Sequence, residues 1–136
     1  LIRRLRMSRI LIVEDDVYFQ EILEAILEDA GHKCTVEQSA LSIIENIDRL
    51  NQYNAIILDL MMPKHGLLQS SYDAKLAAGE ILYGEIRKKY KSKKIIIITA
   101  KDMKQINLNL AHDNNLTVYY KPADETTINK LLEELA

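Results

Sequence analysis

A chain of 136 residues, 48% hydrophobic and 28% charged with a net charge of −2, is long and apolar enough to bury one core. That balance excludes a disordered polymer, and the near-neutral charge removes the bulk attraction behind sequence-independent nucleic-acid binding. The single cysteine, Cys34, excludes an intrachain disulfide and points to a reducing, cytoplasmic setting. No apolar run approaches the about 20 residues that span a bilayer, so no membrane contact is expected.

In chain order, residues 1–8 read as an N-terminal extension, with Met7-Ser8 resembling a natural start, and residues 9–136 as one domain. Glu14 interrupts the first apolar stretch too early for a signal peptide. "ILIV" (Ile10–Val13) is a continuous apolar run ending in acids, the pattern of a strand buried on both faces. Phe19, Ile22, Leu23, Ile26, Leu27 and Ala30 then recur at helical spacing, and Gly31 stands where a helix end turns left-handed. Asp16 falls where a helix-start residue belongs.

"KCTVEQ" is a short strand in which Cys34 is expected to be a buried, inert thiol. Leu41, Ile44, Ile47 and Leu50 mark a second helix with Ser39 as its N-cap. "AIIL" (Ala55–Leu58) is a third strand, and "GEILYGEIRKK" a helix whose basic tail suits the negative end of its dipole. "KKIIIITA" is a fourth strand, the polar Lys101–Asn115 segment a weak helix, and "LTVYY" (Leu116–Tyr120) a fifth strand. Ile128, Leu131, Leu132 and Leu135 stripe a last helix. Five strands alternating with five helices imply an α/β, doubly wound parallel sheet whose ligands bind at the carboxyl ends of the strands.

Those ends carry the chemistry. Glu14-Asp15-Asp16 closes strand one, Asp59 strand three, Thr99-Ala100 strand four and Lys121-Pro122 strand five. Carboxylates crowded together disfavour one another's ionisation unless a cation sits among them. A hard divalent ion such as Mg2+ meets that need while keeping waters that a phosphoryl oxygen can replace, and a lysine adds a mobile point charge. Taken singly, Asp59 reads more readily as a structural helix-start acid and Thr99 as a β-former, while the Glu14–Asp16 run reads equally as a solvated turn. Lys121-Pro122 likewise reads as a strand terminator with a trans bond. Their joint placement on one rim reads as a phosphoryl pocket with a carboxylate nucleophile.

The motifs "ILIVEDD", "IILDLMMP", "IIIITA" and "VYYKP" resemble those of response-regulator receiver domains, the phospho-acceptor modules of two-component signalling, from about Arg9 onward. The resemblance implies a flavodoxin-like receiver fold in which Asp59 takes a phosphoryl group from the phosphohistidine of a sensor histidine kinase or phosphotransfer protein. It implies Mg2+ as cofactor, with Asp15 as a direct ligand, Glu14 acting through water, Asp59 itself, and Met61 through its backbone carbonyl. Thr99 would be the switch hydroxyl and Lys121 the lysine that pairs with the acceptor and then with the phosphoryl group. The output would be altered binding of a downstream protein near the fourth helix, fifth strand and last helix, with no direct nucleic-acid binding. The module would be no enzyme in the ordinary sense, although it would promote its own phosphorylation and dephosphorylation. An unphosphorylated receiver-like interaction module is the alternative.

Three features depart from the pattern. An insertion at about 64–78, "KHGLLQSSYDAKLAA", follows Pro63, and it is expected either to form a partner surface or to extend the third helix backwards through Tyr72, Leu76 and Ala77-Ala78. Val118 stands three places before Lys121, where many receivers carry an aromatic switch residue, and strand alternation puts Tyr119 on the opposite face. Met61 and Lys101, each two places past a site residue, lie where side chains flank an attacking water; Met61 cannot orient it, so a long-lived acyl phosphate is expected. The histidines His32, His65 and His112 form no metal-ligand spacing and are expected at the surface.

Overall fold

The computed structural model describes residues 7–62, 77–102, 104, 106 and 112–136. The elements are β1 (Arg9–Val13), α1 (Val17–Asp29), β2 (Lys33–Glu37), α2 (Ala40–Glu45), a 3-10 helix (Ile47–Gln52), β3 (Ala55–Leu58), α3 (Ala78–Lys89), β4 (Lys94–Thr99), β5 (Leu116–Tyr120) and α4 (Glu125–Leu135). The five strands form one parallel sheet in the order β2-β1-β3-β4-β5, the doubly wound arrangement expected. Residues 103, 105 and 107–111 of the helix expected over Lys101–Asn115 lie outside the described residues.

Alternation along the strands sends side chains to two separate apolar layers. Leu11, Val13, Ile56, Leu58, Ile95 and Ile97 join α2, the 3-10 helix and α3 through Ile43, Leu50, Leu82 and Ile86. Ile10, Ile12, Ala55, Ile57, Ile96 and Ile98 join α1 and α4 through Leu23, Leu27, Leu131 and Leu135. Burial on both faces is why β1, β3 and β4 read as unbroken apolar runs.

Local signals act as their chemistry requires. Asp16 caps α1, its Oδ1 accepting from the Tyr18 and Phe19 amides at 3.0 and 3.2 Å. Gly31 takes a left-handed φ of 95° just past the helix end. Ser39 caps α2, its Oγ accepting from the Ser42 amide at 3.2 Å. The second helix is interrupted at Asn46, whose Nδ2 donates to the Ser42 carbonyl at 2.9 Å, and it resumes as a 3-10 turn. This local side-chain bond competes with helix propagation.

α3 begins at Ala78. Ala77 is extended (φ −71°, ψ 160°), and its amide donates to the Glu80 carboxylate at 3.0 Å. The helix therefore does not run back through Ala77; residues 64–76 of the insertion lie outside the described set.

Two further expectations change. His32 is buried, not at the surface, its Nδ1 accepting from the Ser8 amide at 3.2 Å. His112 is exposed as expected, while His65 is outside the described residues. The Lys121-Pro122 bond is cis. Cys34 is free and partly buried, and burial pushes its thiol up to about 11, as expected of an inert group. Among the described residues no helix is long and apolar enough to cross a membrane.

Candidate phosphoryl-transfer site

Parallel pairing delivers four strand ends to one rim. Val13 lies beside Leu58, Leu58 beside Ile97, and Thr99 beside Tyr120, so the residues that follow emerge together. Each can leave the strand for the pocket because its backbone stays fixed. The Asp59 amide donates to the Val13 carbonyl at 3.1 Å, the Glu14 amide to the Glu37 carbonyl at 3.2 Å, and the Lys121 amide to the Thr99 carbonyl at 2.8 Å.

Asp59 is buried, and its two oxygens are held differently. Oδ1 accepts from the Met61 amide at 3.0 Å, and Oδ2 from Lys121 Nζ at 3.0 Å. Lys121 also reaches both Glu14 oxygens at 3.2 Å, while its Nζ stands 4.4 Å from the centroid of the Phe19 ring. One ammonium thus serves two buried carboxylates. Burial pushes the Glu14 carboxyl up to about 7 and Asp59 adds in the same direction, against the opposing pull of Lys121. Burial by itself would lower Lys121, but its bonds to Asp59 and the charges of Asp59 and Glu14 outweigh it and raise the group overall.

Asp15 is exposed at the mouth, yet Glu14, Asp15 and Asp59 each place a carboxylate oxygen within 4.8 Å of the others. Three carboxylates facing one ammonium make an all-oxygen donor set with surplus negative charge, and that suits a hard divalent cation. Met61 turns its side chain out, 52% exposed. Thr99 is fully buried, and its Oγ1 accepts from the Lys101 amide at 3.1 Å.

Sequence reasoning missed three contributors. Gly79 lets α3 close on the acceptor loop: a Cβ there would lie 2.2 Å from the Asp59 carbonyl oxygen and 2.4 Å from Leu60 Cα. The Gly79 amide donates to the Leu60 carbonyl at 3.1 Å. Glu80 is fully buried and ion-paired with Lys101 Nζ, so Lys101 is not a free side chain flanking the pocket. A glutamate three places into a helix is a capping-box signal that could have marked it. Phe19 was read only as part of the apolar stripe.

The parallel α/β sheet thus gathers acids, a hydroxyl and a lysine at its carboxyl rim, where folds of this class bind their ligands. The sequence pattern of the response regulator receiver domain matches residues 10–133, and the chain belongs to that family. Over 59 residues it is 37% identical to the transcriptional regulatory protein CpxR homolog of Haemophilus influenzae, a match covering 43% of this chain and 25% of that protein. The matched stretch thus spans about a quarter of that relative's length. Among solved structures it shares its fold with a CheY-like receiver domain from Methanospirillum hungatei (TM-score 0.70, 23% identity, 96% of this chain and 94% of that one covered). Chemotaxis protein CheY4 of Vibrio cholerae aligns with TM-score 0.69 and 18% identity over 96% of this chain and all of its own.

Proposed function

We propose that this receiver accepts a phosphoryl group on Asp59 from the phosphohistidine of a sensor histidine kinase or phosphotransfer protein in the cytoplasm, and thereby switches its binding of a downstream protein. The observation that carries the reading is the tethering of Asp59: a buried carboxylate held by the Met61 amide and Lys121, next to Glu14 and Asp15. A carboxylate oxygen of Asp59 attacks phosphorus, the P–N bond breaks and its electron pair returns to the imidazole. Lys121 already stands between Asp59 and Glu14, so its ammonium can follow charge from the acceptor to the phosphoryl oxygens with a small movement. Thr99 has a hydroxyl proton to donate, because the Lys101 amide occupies one of its acceptor positions. Glu14, through water, with Asp15, Asp59 and the Met61 carbonyl would hold Mg2+, which when bound neutralises charge developing on the phosphoryl group.

Met61, apolar and turned outward, gives an attacking water no hydrogen bond, which supports slow hydrolysis of the acyl phosphate. Met61→Asn is expected to shorten its lifetime, followed by loss of the adduct mass with time. The insertion at 64–78 is read as a partner or self-association surface; deletion of 64–76 that left every binding partner unchanged would remove that role.

The decisive experiment is intact mass after incubation with a small acyl phosphate donor, with and without Mg2+, on wild type and Asp59→Asn. A Mg2+-dependent adduct lost in the variant is the expected result. Absence of the adduct with both this donor and a phosphohistidine donor would overturn the reading in favour of an unphosphorylated interaction module.

A further inference from the structure

In the phospho-acceptor reading Asp59 and Thr99 serve one phosphoryl group, yet the β3–β4 ladder ends before either: its last pair is Leu58 with Ile97. On its other side Thr99 is held by β5, through pairing with Tyr120 and the Lys121 amide. Toward Asp59, a different set of contacts carries the alignment onward. The Leu60 carbonyl accepts from the Gly79 amide at 3.1 Å, so the acceptor loop is fixed to the first turn of α3. The next residue, Glu80, is fully buried, accepts from the Ala77 amide at 3.0 Å, and is ion-paired with Lys101 Nζ. The Lys101 side chain is only 10% exposed, and its own amide donates to Thr99 Oγ1 at 3.1 Å. The contacts therefore run unbroken from the acceptor loop through α3 to the Thr99 hydroxyl.

We propose that the buried Glu80–Lys101 ion pair positions the Thr99 hydroxyl relative to Asp59, and so sets how well the pocket engages a phosphoryl group. The proposal rests on the phospho-acceptor reading and deepens it. A buried pair of this kind is weak evidence for stability, and here its contacts tie it to the Thr99 hydroxyl on one side and to the first turn of α3 on the other. With the ammonium anchored on α3, the Lys101 backbone is fixed, and its N–H holds one acceptor position of Thr99 so that the hydroxyl proton is free for the phosphoryl oxygen. Lys101 and Glu80 are positioning residues: neither has to touch the phosphoryl group.

The test is a double-mutant cycle on binding of beryllofluoride, a phosphoryl mimic, in the presence of Mg2+, read by NMR titration of the whole chain. Lys101→Met is expected to weaken beryllofluoride binding roughly tenfold in the wild-type background and to add nothing in a Thr99→Ala background. Affinity for Mg2+ alone should stay unchanged, because the three carboxylates are untouched. Equal losses in both backgrounds, or no loss, would overturn the proposal. If Lys101→Met does not fold, the combined Glu80→Gln, Lys101→Met variant removes both charges of the pair and carries the same cycle with the same criteria. Wild type that binds Mg2+ but no beryllofluoride would instead overturn the phospho-acceptor reading, and this inference with it.

Discussion

Gly79 is a residue where helix propensity and packing pull in opposite directions. Alanine is the better helix former by about 1 kcal/mol. Its methyl, however, would meet backbone atoms of Asp59 and Leu60 rather than the movable end of a side chain. Gly79→Ala is therefore expected to destabilise the domain by about 1–3 kcal/mol and to displace the acceptor loop, measured by urea unfolding and by weaker beryllofluoride binding. His32 offers a test of a different kind. Burial lowers its pKa below the ordinary 6.5, and protonating Nδ1 would remove the acceptor for the Ser8 amide. Above about pH 6.5 the ring is neutral in both folded and unfolded chains and costs nothing. As pH falls below that value the unfolded chain binds the proton first, so stability drops until the folded pKa is passed. Urea midpoints at pH 7.5 and 5.5 should fall further in wild type than in His32→Gln.

At the scale of elements, β5 shows what alternation predicts and what it cannot. Val118 packs with the α2–α3 layer and Tyr119 with the α1–α4 layer, as the period of two required. The Tyr119 hydroxyl donates to Glu134 Oε2 of α4 at 3.0 Å, a long-range partner with no signature in a local window. Tyr119→Phe is expected to cost about 1 kcal/mol and to leave Mg2+-dependent beryllofluoride binding unchanged, which urea unfolding and the same titration would check. Strands β1, β3 and β4 were legible because double burial writes itself as apolar runs, and Asp16, Gly31 and Ser39 were legible because capping is local. The break at Asn46, the burial of His32 and the Glu80–Lys101 pair were not, because each is decided by neighbours far along the chain or by one side chain competing with its own backbone. The rim showed the same division. Glu14, Asp59, Thr99 and Lys121 were found by their position after strands, whereas Lys121's second carboxylate and its aromatic neighbour needed coordinates.

For the whole molecule, stability should be graded across the sheet. β1, β3 and β4 are flanked by strands on both sides and almost fully buried, while the edge strands β2 and β5 are only partly so. Amide hydrogen exchange is expected to be slowest for Ile10–Val13, Ala55–Leu58 and Ile95–Ile98, opening only with global unfolding, and faster for Cys34–Val36 and Thr117–Tyr119. Uniform protection across all five strands would contradict that gradient.

The two apolar layers make neighbours in sequence into strangers in space. Ile96 and Ile97 share a peptide bond, yet one packs toward α4 and the other toward α3. Each face can therefore be repacked with little consultation of the other, and each brings its own part to the rim: one holds the acceptor loop against α3, the other sets the Phe19 ring beside Lys121.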